Sequence, residues 1–83
     1  MLIAQHDIAT LRNVAGNANA DEWLRLGAIE GLARMALADA EACLQALQQD
    51  SDEDIRKAAF RALRRSQRLR AKAQSGTGTG AQA

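Results

Sequence analysis

The 83-residue chain contains no proline and no tyrosine, and only one tryptophan, one phenylalanine, one cysteine and one histidine. Each shortage excludes something. Sandwiches and barrels are built from β-branched and aromatic residues, and this chain has a single Val beside four Ile. A lone cysteine forms no intramolecular disulfide. With a lone histidine beside it, it supplies no zinc or iron–sulfur ligand set. No apolar run approaches the ~20 residues of a membrane span. The N-terminus, Met1-Leu2-Ile3-Ala4-Gln5-His6-Asp7, lacks the basic region and the apolar length of a signal peptide. A reducing, cytoplasmic setting is expected, with no membrane role.

Alanine is abundant: it supplies 19 of the 39 apolar residues. A chain rich in Ala, Leu, Glu, Arg and Gln, without proline, reads as all-α. Its core has little bulk and depends on close backbone approach. One core of this size yields only a few kcal/mol, so self-association or a protein partner is expected to complete it.

The net charge of +1 conceals a strong asymmetry. Residues 1–20 balance Arg12 against Asp7. Residues 21–54 hold nine acids against Arg25 and Arg34, giving −7. Residues 55–83 hold Arg56, Lys57, Arg61, Arg64, Arg65, Arg68, Arg70 and Lys72 with no acid, giving +8. Such a polar chain favours an acidic or polyanionic partner, or head-to-tail self-association.

Apolar residues recur at helical spacing almost throughout. Ile8, Leu11 and Val14, with Ala15, mark a first helix ended by Gly16. Asn19 and Glu22 have capping-box spacing before a second helix carrying Leu24, Ala28, Gly31, Leu32 and Met35. Asp39 is a candidate N-cap for a third, through Ala40, Cys43, Leu44 and Leu47. Asp50 or Ser51 is the expected cap of a fourth, which presents Ile55, Ala59, Ala62, Leu63, Ser66 and Leu69. The segment from Gln74, with Gly76, Gly78 and Gly80, has no apolar side chain to bury and reads as a flexible tail. The expected division is a helical domain over residues 1–73 and a tail over 74–83.

A shift of 31 residues lays the second helix on the fourth. Asp21 meets Asp52, Glu22 meets Glu53, Leu24 meets Ile55, Arg25 meets Arg56, Ala28 meets Ala59, Ile29 meets Phe60, Leu32 meets Leu63 and Arg34 meets Arg65. Six of fifteen positions are identical. The preceding helices align at a shift of 33, which makes the first inter-helix loop two residues longer. Two helices per period of ~30 residues is the pattern of an α-solenoid. The segment Asp52-Glu53-Asp54-Ile55-Arg56-Lys57-Ala58-Ala59-Phe60-Arg61-Ala62-Leu63 resembles the turn and second helix of a HEAT repeat, of the short bacterial kind also found in phycobilin lyases. Asp21 to Leu32 is a weaker copy, with Gly27 and Gly31 in alanine slots.

The resemblance implies a right-handed stack of two helical pairs, over about 7–36 and 39–69. It also implies that a turn acid, Asp21 or Asp52, bonds to Arg25 or Arg56 between repeats. Small residues at Gly27, Ala28, Gly31, Ala58, Ala59 and Ala62 would let helices approach closely. Leu24, Leu32, Ile55 and Leu63 would supply apolar area.

Candidate sites follow. His6 lacks a visible catalytic partner. Cys43 has acidic and apolar neighbours in sequence, not the positive surroundings that activate a thiol. The acids Asp50, Asp52, Glu53 and Asp54 lack the spacing of a calcium loop and suit a helix N-terminus instead. Catalytic, metal and cofactor residues are therefore assigned to none. Trp23 either anchors an interface or covers the Gly16–Ala20 loop. Phe60 either lies on an uncovered end of the stack or packs on the third helix. Arg61, Arg64, Arg65 and Arg68 line one side of the fourth helix, with Lys57 and Lys72 continuing the stripe. They suit an acidic protein or phosphates, or form a solvated helix end that complements the helix dipole. No interleaved aromatics or reading-helix pattern accompany them. The expected function is a non-enzymatic interaction scaffold. The alternative is nucleic-acid binding without base specificity through the basic helix.

Overall fold

The computed structural model describes the backbone of residues 2–82 and the side chains of residues 6–73. Four helices make up the fold: α1 (Leu2–Ala15), α2 (Glu22–Met35), α3 (Ala38–Leu47) and α4 (Glu53–Gln82). Among the described residues there is no strand.

Helix adjacency distinguishes a stack from a bundle. In an up-down four-helix bundle the first and last helices are neighbours, and the second and fourth lie diagonally. Here α2 packs directly on α4, and among the described residues no contact joins α1 to α4. α1 and α3 form one layer, α2 and α4 the other, and α2 also touches α3 across the middle. This is the nearest-neighbour stacking of helical hairpins.

The core follows from the alanine content. Buried apolar positions include Ala15, Ala28, Ala33, Ala40, Ala59 and Ala62, which alternate with Ile8, Ile29, Leu32, Leu44, Leu47, Ile55 and Leu63. Small side chains bring the helix axes together so that the few large ones reach across. Gly31 acts this way: a Cβ there would lie 3.1 Å from Leu11 Cδ1, so its absence admits α1. Gly27 does not, because a Cβ there would meet nothing within 4 Å.

Several expectations are corrected. α2 and α4 begin at Glu22 and Glu53, in the expected register of 31. α1 and α3 end at Ala15 and Leu47, a shift of 32 rather than 33, so the first loop is one residue longer rather than two. Leu24 is 42% exposed, whereas its repeat equivalent Ile55 is 0% exposed. Ile55 belongs to the buried core cluster, and Leu24 does not. The buried stripe of α2 instead runs through Arg25, Ala28, Ile29, Leu32 and Ala33. Leu69 is likewise exposed.

Helix ends differ too. Asp21 precedes α2 without a side-chain cap bond, and Asn17 Oδ1 accepts the Asn19 N–H instead. Leu37, not Asp39, precedes α3. Asp52 caps α4, its Oδ1 accepting the Asp54 N–H at 2.8 Å. Gly16 has no positive φ; the left-handed residue is Ala36, at φ 50° after α2.

The backbone of α4 is helical to Gln82, where the sequence predicts a flexible tail from Gln74. Each glycine in that stretch disfavours helix by about 1 kcal/mol relative to alanine. The side chains of residues 74–83, on which the tail expectation rests, lie outside the described residues.

Candidate functional site

The join between the hairpins is built around Arg25. Its side chain is buried, with Nε donating to the Ala15 carbonyl at 2.8 Å and Nη2 donating to Asp50 Oδ2. One guanidinium thus ties the C-terminus of α1, the start of α2 and the α3–α4 loop. The carbonyl it meets belongs to the last turn of α1, where a cation is favoured by the helix dipole. The expected partners were Asp21 or Asp52; the structure supplies Asp50, which the turn before α4 brings inward. Asp50 Oδ1 accepts the Asp52 N–H at 2.9 Å. That bond, followed by Arg25 and Arg56, holds the Asp50 carboxyl below its usual range despite partial burial. Arg56 pairs with no carboxylate among the described residues: Nη1 donates to the carbonyls of Asp50 at 2.8 Å and Ser51 at 3.1 Å.

Two further polar arrangements hold the helices. Arg65 leaves the expected stripe and donates to Glu30 Oε1, closing α4 on α2. Glu41 is buried against α4, where Ser66 Oγ donates to Oε2 at 2.8 Å and Arg70 Nη1 to Oε1 at 2.7 Å. Sequence reasoning missed this triad. Its signal was a carboxylate on the core side of α3, seen in sequence only as a charge next to Cys43. The register of the turns also brings Glu22 to Asp52 and Asp54, the three carboxylates lying within 4.8 Å of one another. Loss of hydration, then repulsion from Asp52 and Asp54, raises the Glu22 pKa.

The remaining surface of interest is the side of α4 that no helix covers. Phe60 is 49% exposed there, whereas its repeat equivalent Ile29 is 2% exposed. The difference is one of position. Ile29, with Leu26 and Glu30, faces Ala58, Arg61 and Arg65 of the next hairpin, and Phe60 faces none. Open grooves flank Phe60: one includes Gln48, Leu63, Gln67, Arg64 and Arg68, the other Gln48, Arg56, Lys57 and Arg61. The Arg64 guanidinium lies over the Phe60 ring, 5.6 Å from its centroid, a cation–π geometry. Arg61, Arg64 and Arg68 pair with no carboxylate among the described residues, and Lys57 meets Glu53 at 3.0 Å. The structure therefore gathers Phe60, Arg61, Arg64 and Arg68 around the open grooves and draws Arg65 to the half-exposed join with Glu30 on α2.

Trp23 is 69% exposed on α2. It stands apart from the Phe60 grooves, whose linings come from the α3–α4 hairpin. His6 is exposed. Burial pushes the Cys43 thiol up, with Arg12 opposing and Asp39 adding to the effect, the opposite of an activated nucleophile.

Two helical hairpins in register, clamped by a buried arginine and layered as α1–α3 over α2–α4, define a short α-solenoid. Its family follows from comparison: the model for HEAT repeats matches residues 8–74, and the chain belongs to that family. Neither the curated proteins nor the solved structures gave a match. HEAT repeats are commonly protein-interaction scaffolds and typically non-catalytic. No described helix is long and apolar enough to cross a membrane.

Proposed function

We propose that this chain is a non-enzymatic protein-interaction module that docks through the uncovered face of α4. The observation that carries the reading is the contrast between Phe60 and Ile29. The same repeat position is closed on α2, where α4 packs, and open on α4 among the described residues. A half-exposed aromatic ringed by arginines has the composition of an interface hot spot.

The test compares wild-type protein with Phe60→Ala and Trp23→Ala variants in affinity purification from native extract. The Phe60 variant is expected to lose the specific partner at least about tenfold, a loss of ~1.4 kcal/mol, with its melting curve little changed. The Trp23 variant is expected to retain it. Equal recovery by the Phe60 variant contradicts the reading.

Nucleic-acid binding is the competing use of the same cations. It is weakened by the commitment of Arg65 to Glu30, which removes one charge from the stripe. Retention of labelled RNA or DNA at ~50 mM salt, lost with rising salt, would favour it over protein docking.

A further inference from the structure

The join already present between α2 and α4 dictates what fits on α4. In that join, Ala58 faces Leu26 and Ile29, and Arg65 closes the contact on Glu30. Moving each α2 residue forward by the repeat of 31 gives the next face outward: Leu26 becomes Lys57, Ile29 becomes Phe60 and Glu30 becomes Arg61. One of the two apolar positions is kept, as Phe60, the other becomes a cation, and the charge is inverted. A helix stacked on α4 as α4 stacks on α2 therefore needs a small residue against Phe60. Seven residues later, where α4 carries Arg65, it needs an acid against Arg61.

We infer that the uncovered face of α4 receives an acidic partner helix, with Ala or Gly over Phe60 and Asp or Glu facing Arg61. This inference rests on the docking role proposed above and gives that role its partner chemistry. A second copy of this chain is the obvious competitor, because α2 offers Gly27 in the small-residue position with open space around it. Its charge is wrong, however. The residue of α2 equivalent to Arg65 is Arg34, which is exposed and would meet Arg61 of the copy below. Like charges in register cost affinity and suppress the wrong partner. The cations flanking Phe60 reinforce the preference, since Arg61, Arg64 and Arg68 pair with no carboxylate among the described residues.

The chain itself supplies the probe. Arg34→Glu places an acid opposite Arg61 of a neighbouring copy, and Arg61→Glu places one opposite Arg34. Each variant is expected to self-associate head to tail in sedimentation velocity, at least about tenfold more strongly than wild type. The double variant sets Glu against Glu and is expected to return to the wild-type state. Phe60→Ala added to either single variant should abolish the gain. Circular dichroism identifies a variant that fails to fold, and the other single variant then carries the test.

Three results would overturn the inference. One is folded single variants that associate no more than wild type. Another is a wild-type protein that already stacks through Phe60, which makes a second copy the occupant. A bound RNA oligonucleotide displaced by salt and indifferent to Phe60→Ala would also overturn it, in favour of a phosphate backbone. The docking reading fails separately: it falls if Phe60→Ala leaves partner recovery unchanged in extract, whatever the charge-swap variants do.

Discussion

Asp50 joins three parts of the molecule through one carboxylate: it holds Arg25, receives the Asp52 N–H and sits before the turn into α4. Removing it leaves Arg25 buried without its countercharge. Breaking a buried pair from one side costs several kcal/mol, so Asp50→Ala is expected to destabilise by about 3 kcal/mol in urea unfolding. Arg56→Ala, which removes exposed bonds to carbonyls, is expected to cost no more than about 1 kcal/mol.

Glu22 acts in the opposite sense. Its pKa is raised in the folded protein, so its ionised form costs stability above the usual carboxylate range, and the cost vanishes in acid. Glu22→Gln should melt higher than wild type at pH 7 and equal to it near pH 3. Asp50, whose pKa is lowered, contributes stability above the usual aspartate value that is lost as pH falls through its lower folded value. The sequence made Arg25 visible as a repeated arginine but not its burial, because the acid it meets lies 25 residues away and outside the repeated motif.

At the level of elements, the helices and the register of α2 on α4 were legible because apolar spacing and a period of 31 both survive in the sequence. Helix ends were less so. Asn19 and Asp39 have the right chemistry for N-caps, yet Asp21 and Leu37 took those positions; Gly16 does follow α1, and the left-handed conformation falls instead on Ala36, after α2. An alanine held at φ 50° carries a steric cost of about 1 kcal/mol that glycine lacks. Ala36→Gly is therefore expected to raise stability by about 1 kcal/mol, read from the urea midpoint at unchanged m-value. The Glu41–Ser66–Arg70 triad was illegible for a different reason. Its members look like surface residues individually, and only packing of α3 on α4 encloses them. Ser66→Ala removes a hydrogen bond to a charged group and is expected to cost about 1.5–3 kcal/mol in the same measurement.

For the whole molecule, the two-layer stack sorts the cations of α4 into structural and available charges. Arg65 and Arg70 bind the body together, while Arg61, Arg64 and Arg68 surround Phe60 on an open face. The sequence showed the stripe and offered Phe60 as an uncovered end, but spacing alone could not divide the arginines. That division depends on which side of α4 meets α2, a property of tertiary packing. It also explains why the alanine-rich core suffices inside each join and still leaves a large aromatic half exposed at the edge. The most direct measurement places a photo-crosslinking amino acid at position 60 in the native cell, with position 7 on the far layer as control. The account predicts a discrete protein adduct at position 60 that is missing at position 7. Absence of an adduct at position 60, or the same adducts at both positions, would contradict it.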